Sequence, residues 1–336
     1  MSETNRQMLL RERPTGEVGD EHFELVTGPV PEPRDGEVLL RAQWLSFDPA
    51  QRGWLNDVRS YVPPVAIGEP MRAYGIGEVV TSNVDGVAPG DLVHTSLGWQ
   101  DYAVVDPSTT LFEPVPAAVT QPEMMLGLLG MTGLTAYFGM TDIGRPVEGD
   151  AVLVTAAAGA TGSIAGQIAR IKGAAQVIGT AGAAKGDWVR DVAGFDDCLD
   201  HYDENILRLI RAANRDGYQV VFDNVGGTLL DACLFNIAVH ARVVLCGSIS
   251  TGYKPQRPDV GIYYYQLLTM RRSLMQGFLV SDYEDRYDEA RADLLRWSEE
   301  GRLVQQYDVV EGLEKAPTTL NRLFKGANLG KQLLKL

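Results

Sequence analysis

Residues 151–173, AVLVTAAAGATGSIAGQIARIKG, predict a strand, a glycine turn and a helix in that order. The first residues are uniformly apolar, as in a strand that is buried on both faces of a parallel sheet. Ile164, Ile168 and Ile171 then recur at helical spacing, so one face of the helix is expected to pack on that sheet. This stretch is therefore predicted to be one βα unit of an α/β domain.

The turn inside this stretch indicates what binds there. Gly159 and Gly162 follow Ala156 in an A-x-x-G-x-x-G arrangement, and small residues at these places permit a tight turn and close approach of a ligand. Amides at the start of the next helix and the helix dipole favour an anion. With further βα units downstream, the motif favours the pyrophosphate of a dinucleotide over a purely structural turn.

The next strand indicates which dinucleotide binds. An NAD-binding unit normally places an Asp or Glu about 20 residues after the glycines, where it binds the ribose hydroxyl. No acidic residue occurs between Ser163 and Gly186, and the segment 176–185, QVIGTAGAAK, ends in small residues such as Gly182 and in Lys185. This composition leaves room and positive charge for a 2′-phosphate, which favours NADPH. The alternative for Lys185 is a solvated lysine at a helix start.

The composition excludes several other classes of function. A net charge of −14 without a cluster of Lys and Arg disfavours binding to nucleic acid. The N-terminal residues lack the apolar core of a signal peptide, and no apolar run is as long as a membrane span. Three widely spaced cysteines, Cys198, Cys233 and Cys246, disfavour a disulfide framework. We therefore expect a cytoplasmic protein that does not bind membranes.

The 336 residues are expected to form two domains. Residues 1–121 carry short alternating strands with Pro and Gly turns, which predict a β-rich domain. Residues 122–303 begin with an apolar helix after Gln121 and then alternate strands and helices, with one helix expected at 229–239. This alternation predicts a doubly wound parallel sheet. Residues 304–336 end in a helix at 316–324 and an apolar strand at 332–336, and this tail is expected to return to the first domain.

Several motifs resemble the medium-chain dehydrogenase/reductase superfamily, in its zinc-free branch of leukotriene/prostaglandin reductases, alkenal double-bond reductases and curcumin reductases. They are LSFDPAQRG at 45–53, SYVPP at 60–64, GLLGMTGLTAYF at 127–138, VFDNVGG at 221–227, CGSIS at 246–250, QGF at 276–278, GLEKAP at 312–317 and FKGANLGK at 324–331, together with the opening stretch. The resemblance covers nearly the whole chain. It implies a GroES-like catalytic domain, joined by the tail, and a Rossmann domain that binds NADPH.

The resemblance also assigns cofactor contacts by position. It places Thr132 and the turn 157–162 along the nicotinamide and pyrophosphate, Lys185 at the 2′-phosphate, and Asn328 over the cofactor from the tail. The complete predicted set is Thr132, Ala157, Gly159, Ala160, Thr161, Gly162, Gly182, Lys185, Asn224, Gly247, Ser250 and Asn328. One departure concerns Ala50, where family members commonly carry a tyrosine.

The chemistry that fits is reduction of a carbon–carbon double bond. The zinc ligands of alcohol dehydrogenases are missing, because the cysteines lie outside the β-rich domain and no G-H-E or C-x-x-C motif occurs. Without a metal to polarise a carbonyl, hydride addition to the β-carbon of an α,β-unsaturated aldehyde or ketone is favoured. Negative charge then collects on the carbonyl oxygen, so the protein must supply a hydrogen-bond donor there.

Two tyrosines are candidate donors. Tyr253 follows the strand end at 247–250, where ligands collect in open α/β sheets. Tyr61, in SYVPP, is the second candidate. The alternative for each is structural packing in a loop. Asp48 and Arg52 are either substrate contacts or, as the pattern favours, a pair that stabilises a turn.

Two other functions stay open at this point. A quinone reductase of the same superfamily needs the same hydride donor, and an NADPH-binding sensor needs no turnover at all. A small hydrophobic enone or enal is the expected substrate. The resemblance further implies a homodimer that forms through the last Rossmann strand, near residues 274–280.

Overall fold

A computed structural model describes residues 4–253 and 262–336. The N-terminal part is built from antiparallel strands. Its elements are β1 (Thr4–Leu10), β2 (Phe23–Pro29), β3 (Val38–Ser46), α1 (Ala50–Trp54), β4 (Tyr74–Ser82), β5 (Leu92–Ser96), β6 (Tyr102–Val105) and β7 (Phe112–Pro114). Strands β1 and β2 form a hairpin, and β3, β4, β5 and β7 neighbour one another in a larger sheet, with β6 paired to β3.

The central part alternates helices and strands. Its elements are α2 (Met131–Phe138), β8 (Ala151–Val154), α3 (Ala160–Ile171), β9 (Gln176–Ala181), α4 (Gly186–Asp191), β10 (Asp197–Asp200), α5 (Ile206–Ala213), β11 (Tyr218–Asp223), α6 (Gly227–Phe235), β12 (Ile237–Leu245), α7 (Gln266–Arg271), β13 (Leu274–Gly277) and α8 (Tyr287–Glu299). The strands run parallel in the order β10-β9-β8-β11-β12-β13. The predicted doubly wound sheet is confirmed, and its order reverses between β8 and β11, where such sheets bind ligands.

Successive side chains of β8 pack against opposite faces of the sheet, and both faces are covered. Val152 and Val154 pack into the cluster that contains α2, α3 and α8, whereas Ala151 and Leu153 pack into the cluster on the opposite face with α5 and α6. All four side chains are buried. Since successive side chains of a strand point to opposite faces, an uninterrupted apolar run is what a strand in this position requires.

The C-terminal tail joins the N-terminal sheet. It contains β14 (Tyr307–Glu311), α9 (Ala316–Phe324) and β15 (Lys331–Lys335). Strand β15 pairs parallel with β14 and antiparallel with β3. Leu320 and Leu323 of α9 are buried in the same cluster as Leu40 of β3. None of the helices in the described ranges is long and apolar enough to cross a membrane.

Two predicted helices differ from the structure. The apolar run after Gln121 is divided into a 3₁₀ turn, Pro122–Leu126, and α2, because Gly127 and Gly130 interrupt the helical backbone between them. The predicted end of the helix at residues 229–239 was wrong, since α6 stops at Phe235 and β12 begins two residues later. The buried Asn236 amide donates to the Ala232 carbonyl and thereby terminates that helix.

An ion pair between a buried lysine and a partly exposed aspartate ties the tail to the N-terminal part. Lys331, 1% exposed, donates from Nζ to Asp48 Oδ1 at 2.5 Å and to the Phe47 carbonyl oxygen at 3.2 Å. Ser46 Oγ donates to the other Asp48 oxygen at 2.5 Å. The paired charges are therefore matched by further hydrogen bonds, which is the condition for holding an ion pair in a protein interior.

We expect Lys331→Met to lower the free energy of unfolding by about 1–3 kcal/mol, because the partly exposed Asp48 carboxylate loses the charge-assisted hydrogen bond from its cation. Urea denaturation measures this change. The matched control is Lys325→Met, which removes an exposed pair with Glu17 and is expected to cost less than about 1 kcal/mol. Equal stability losses in the two variants would show that the burial of Lys331 does not strengthen its ion pair.

Candidate active site

The glycine turn leaves β8 and enters α3. Ala157 is fully buried, and its amide donates to the Thr180 carbonyl of β9 at 2.9 Å. Ala156 has a φ of +51°, in the left-handed region, and its carbonyl accepts the Gly159 amide at 2.9 Å. A Cβ on Gly162 would overlap that same carbonyl. The helix start can approach the turn this closely only because residue 162 is glycine.

The first turn of α3 presents backbone amides without a side-chain cap. Gly159 is the N-cap residue, and within residues 4–253 and 262–336 no side chain caps this helix. Ala160 and Thr161 follow as its first residues and are half-buried. Uncapped amides at the N-terminus of a long helix suit a phosphate group, so this turn fits the pyrophosphate of a dinucleotide.

The tail crosses this turn as a strap, residues 326–331. The Gly330 amide donates to the Ala158 carbonyl at 2.8 Å, and Gly330 forms a parallel bridge with Gly159. Asn328 is 9% exposed, and its Nδ2 donates to the Gly330 carbonyl at 2.9 Å. The strap therefore lies against the turn itself.

Lys185 lies between the strap and the end of β9. It ends a 3₁₀ turn, Ala183–Lys185, whose N-cap is Gly182, and its Nζ donates to the Asn328 carbonyl at 2.5 Å. Burial lowers the pKa of Lys185, although the nearby Asp308 carboxylate opposes this shift. Among the described residues this half-buried lysine bonds to a neutral oxygen and pairs with no carboxylate, so it would gain from an anionic partner. The structure thus brings together Lys185, Asn328 and the turn.

Tyr202 is a residue that the sequence analysis missed. It follows β10, its ring lies 3.6 Å from the position of a Cβ on Gly182, and its hydroxyl lies 3.7 Å from that on Gly326. The side chain is 70% exposed. An exposed ring between the end of β9 and the strap offers a flat apolar surface beside Lys185. The only signal in the sequence was an aromatic residue just after a strand end.

The carboxyl ends of β11 and β12 hold the next predicted residues. The Asn224 backbone amide donates to Thr155 Oγ1 at 2.8 Å. Its side-chain Nδ2 donates to the Thr155 carbonyl at 2.7 Å. Ser250 Oγ donates to the Val225 carbonyl at 2.6 Å. The Gly247 amide donates to the Asp223 carbonyl at 3.2 Å. These bonds join the strand ends to the loop that follows β12.

Asp223 organises the same strand ends from within the sheet. Its fully buried carboxylate accepts from Thr155 Oγ1 at 2.8 Å and from the Gly226 amide at 2.9 Å. Burial raises the pKa of this carboxyl group, although those hydrogen bonds act in the opposite direction. Asp223 thereby fixes the loop that carries Asn224.

Tyr253 reaches the strand ends with its hydroxyl. The hydroxyl oxygen accepts the Ser248 amide at 3.2 Å, and the ring packs edge-on against Phe324 with centroids 6.4 Å apart. Burial raises the pKa of Tyr253, although the Ser248 amide partly opposes this shift. The hydroxyl therefore stays protonated at neutral pH, and because it accepts from Ser248 its own proton is available for donation.

The other predicted residues make more local contacts. Tyr61 is 61% exposed, and its hydroxyl oxygen accepts Trp54 Nε1 at 3.2 Å. Thr132 Oγ1 donates at 3.0 Å to the carbonyl of Gly127, which lies between the 3₁₀ turn and α2. The predicted pairing of Asp48 with Arg52 is wrong. Asp48 pairs with Lys331, and Arg52 donates to neutral oxygens instead.

The comparisons with known proteins agree with this architecture. The family model described as the N-terminal domain of oxidoreductase matches residues 6–112, and that described as zinc-binding dehydrogenase matches residues 160–297. Across residues 4–253 and 262–336, no group of three or more His, Cys, Asp or Glu side chains could hold a metal ion.

Relatives match the chain over almost its full length. YfmJ of Bacillus subtilis, named as an NADP-dependent oxidoreductase, is 41% identical over 100% of this chain and 99% of its own. The NADPH-dependent curcumin reductase of Escherichia coli is 36% identical over 99% and 97%. The crystal structure of CurA from Vibrio vulnificus in complex with NADPH superposes with a TM-score of 0.92 at 38% identity, covering 98% of each chain. The chain belongs to the medium-chain dehydrogenase/reductase superfamily, in the branch of these NADPH-dependent reductases, as predicted.

We expect Gly162→Ala to destabilise the protein by about 1–3 kcal/mol and to weaken NADPH binding, because the new Cβ overlaps the Ala156 carbonyl and displaces the start of α3. Thermal denaturation and fluorescence titration with NADPH measure the two effects. Gly28→Ala is the matched control, since a Cβ at that position meets open space. Unchanged NADPH affinity in Gly162→Ala would contradict the assignment of the turn.

Proposed function

We propose that this chain catalyses the NADPH-dependent reduction of the C=C bond of small hydrophobic α,β-unsaturated aldehydes and ketones. The observation that carries the proposal is the hydroxyl of the half-buried Tyr253, which accepts the Ser248 amide at the carboxyl end of the parallel sheet and whose pKa is raised by burial. The names of relatives support the substrate class. They include 2-alkenal reductase from Nicotiana tabacum, prostaglandin reductase 1 from Mus musculus and (+)-pulegone reductase from Mentha piperita.

The residues of this chain would bind and orient the reactants. The α3 amides at Ala160 and Thr161 would hold the pyrophosphate, and Lys185 would hold the 2′-phosphate. When bound, NADPH supplies the hydride that adds to the β-carbon of the substrate. Tyr253 would donate a hydrogen bond to the carbonyl oxygen, where negative charge develops as the enolate forms. Protonation of the α-carbon then completes the reduction.

Lys185 is proposed to select NADPH over NADH. We expect Lys185→Ala to weaken NADPH binding roughly tenfold to a hundredfold, the loss of one charge-assisted hydrogen bond, and to change NADH binding by less than about twofold. Kd values for both cofactors, obtained by fluorescence titration, test this directly. Lys172→Ala, which changes a lysine at the other end of α3, serves as the control for net charge. Equal losses for NADPH and NADH would remove Lys185 from the 2′-phosphate site.

Tyr253 is proposed to stabilise the enolate oxygen. We expect Tyr253→Phe to lower kcat for an enone on the order of tenfold to a hundredfold, since the ring is kept and only the donor is lost. The Kd for NADPH should change little. Tyr61→Phe, tested in parallel, is expected to have a smaller effect because that side chain is exposed. Wild-type turnover by Tyr253→Phe would exclude Tyr253 from the mechanism.

Product analysis separates this function from its alternatives. NADPH consumption is measured with trans-2-nonenal, a benzylidene ketone, curcumin and a quinone, and each product is identified by mass spectrometry. Addition of two hydrogens across the C=C bond supports the proposal. Turnover of the quinone alone would indicate a quinone reductase, and NADPH binding without turnover of any substrate would indicate a sensor.

We also propose that two copies associate through β13. This strand is at the edge of the parallel sheet, and exposed apolar side chains surround it, with Tyr263, Met270 and Leu274 exposed by 70%, 67% and 47%. An open edge with such neighbours favours pairing with a second sheet. Light scattering of the 36.7 kDa chain should give twice that mass, and Leu274→Lys should reduce it. A monomeric wild-type protein would contradict this association.

A further inference from the structure

A buried cation without a carboxylate partner lies beside the candidate site. Arg52 of α1 is 2% exposed, and its guanidinium donates to the carbonyls of Pro14 and Gly16 and to Asn56 Oδ1. Among the described residues, no acidic side chain lies within ion-pair distance of Arg52. Removing a charge from water costs free energy, and hydrogen bonds from protein groups must replace those that water made. Asn56 is the only side chain among these three acceptors.

The Arg52 contact fixes which way the Asn56 amide points. A guanidinium only donates hydrogen bonds, so the atom that faces it at 2.7 Å must be the amide oxygen. The Asn56 nitrogen therefore faces the opposite side, where it donates to the Tyr253 carbonyl at 2.6 Å. Donation from a charged group into Oδ1 polarises the amide and strengthens the Nδ2 donor.

Tyr253 has a backbone conformation that needs such support. Its φ is +48°, which is in the left-handed region that an aromatic residue rarely adopts. Thr251 Oγ1 accepts its amide at 3.2 Å, and Asn56 bonds its carbonyl. The peptide unit of Tyr253 is thereby held from both sides. Of these two supports, only Asn56 comes from the N-terminal β-rich part of the chain.

We infer that Asn56, oriented by Arg52, is a positioning residue that holds the Tyr253 backbone so that the phenol reaches the Ser248 amide and the substrate oxygen. Asn56 touches neither substrate nor cofactor in this account. It links the helix α1 to the loop after β12 and so couples the two parts of the chain at the reacting end of the site. The inference rests on the proposed function, because it assigns Asn56 an effect that passes through the Tyr253 hydroxyl.

The variant Asn56→Asp tests this inference with little change in volume. The aspartate keeps an acceptor for Arg52 and gives that cation a charge partner, but it replaces the donor to Tyr253 with an oxygen that repels the carbonyl. We expect kcat for trans-2-nonenal to fall roughly tenfold to a hundredfold, as a small misplacement of a catalytic group does, while the KM for NADPH stays within about twofold. The melting temperature reports whether the fold is kept.

Two further variants keep the test decisive. Asn83→Asp is the matched control, because Asn83 Nδ2 also donates to backbone carbonyls, those of Pro33 and Arg34, but in an exposed turn away from the site. It is expected to leave kcat unchanged. If Asn56→Asp does not fold, Asn56→Ser removes the amide donor with a neutral side chain and takes its place in the same measurements.

The Tyr253→Phe background distinguishes the possible outcomes. If Asn56 acts through the hydroxyl, Asn56→Asp lowers kcat in the wild-type background and adds nothing in Tyr253→Phe. A wild-type kcat in Asn56→Asp, with a lowered kcat in Tyr253→Phe, would overturn the inference and leave the proposed donor intact. An equal loss in both backgrounds would also overturn it. If Tyr253→Phe itself keeps wild-type turnover, the donor assignment and the inference fail together.

Discussion

The hydrogen bond from Gly330 to the Ala158 carbonyl brings the C-terminal tail against the turn that links β8 to α3. Around it, Lys185 bonds to Asn328, and Lys331 pairs with Asp48 of the N-terminal part. These contacts join the tail both to the first βα unit and to the N-terminal part of the chain. The turn that requires glycine at residue 162 is thus also the turn that the tail contacts.

Buried polar groups, rather than apolar packing, distinguish the active-site side of the molecule. Asp223, Lys331 and Arg52 are each almost fully buried, and each is matched by hydrogen bonds to a strand end or a loop. Such networks are costly when they are incomplete, so they hold loops in one arrangement. Loops that carry candidate catalytic groups gain the fixed geometry that stabilisation of a developing charge needs.

Much of the fold could be predicted because it depends on local patterns. The apolar run in β8 and the isoleucines of α3 indicated a parallel sheet, and the helix Ala316–Phe324 was predicted with the bounds that the structure has. The end of α6 was predicted wrongly because it depends on the Asn236 side chain, whose bond to Ala232 no periodicity reveals. The candidate cofactor residues came from the family resemblance, because they lie within its motifs.

The side-chain partners at the site could not be predicted, because they join residues that are far apart in sequence. Lys331 is 283 residues from Asp48, and Asn56 is 197 residues from Tyr253. Sequence spacing suggested the local pair Asp48 and Arg52, but the fold offers each of them a different partner. The lysine at 331 belongs to a motif that had been identified, yet only the pairing of β15 with β3 brings it to Asp48.

The destination of the hydride distinguishes reduction of the C=C bond from reduction of the carbonyl group. NADPH that carries deuterium at the transferring position of C4 is used to reduce trans-2-nonenal, and the product is analysed by NMR. For hydride addition to the C=C bond we expect a saturated aldehyde with deuterium on the carbon β to the carbonyl. Deuterium on the carbonyl carbon, in an unsaturated alcohol, would contradict it.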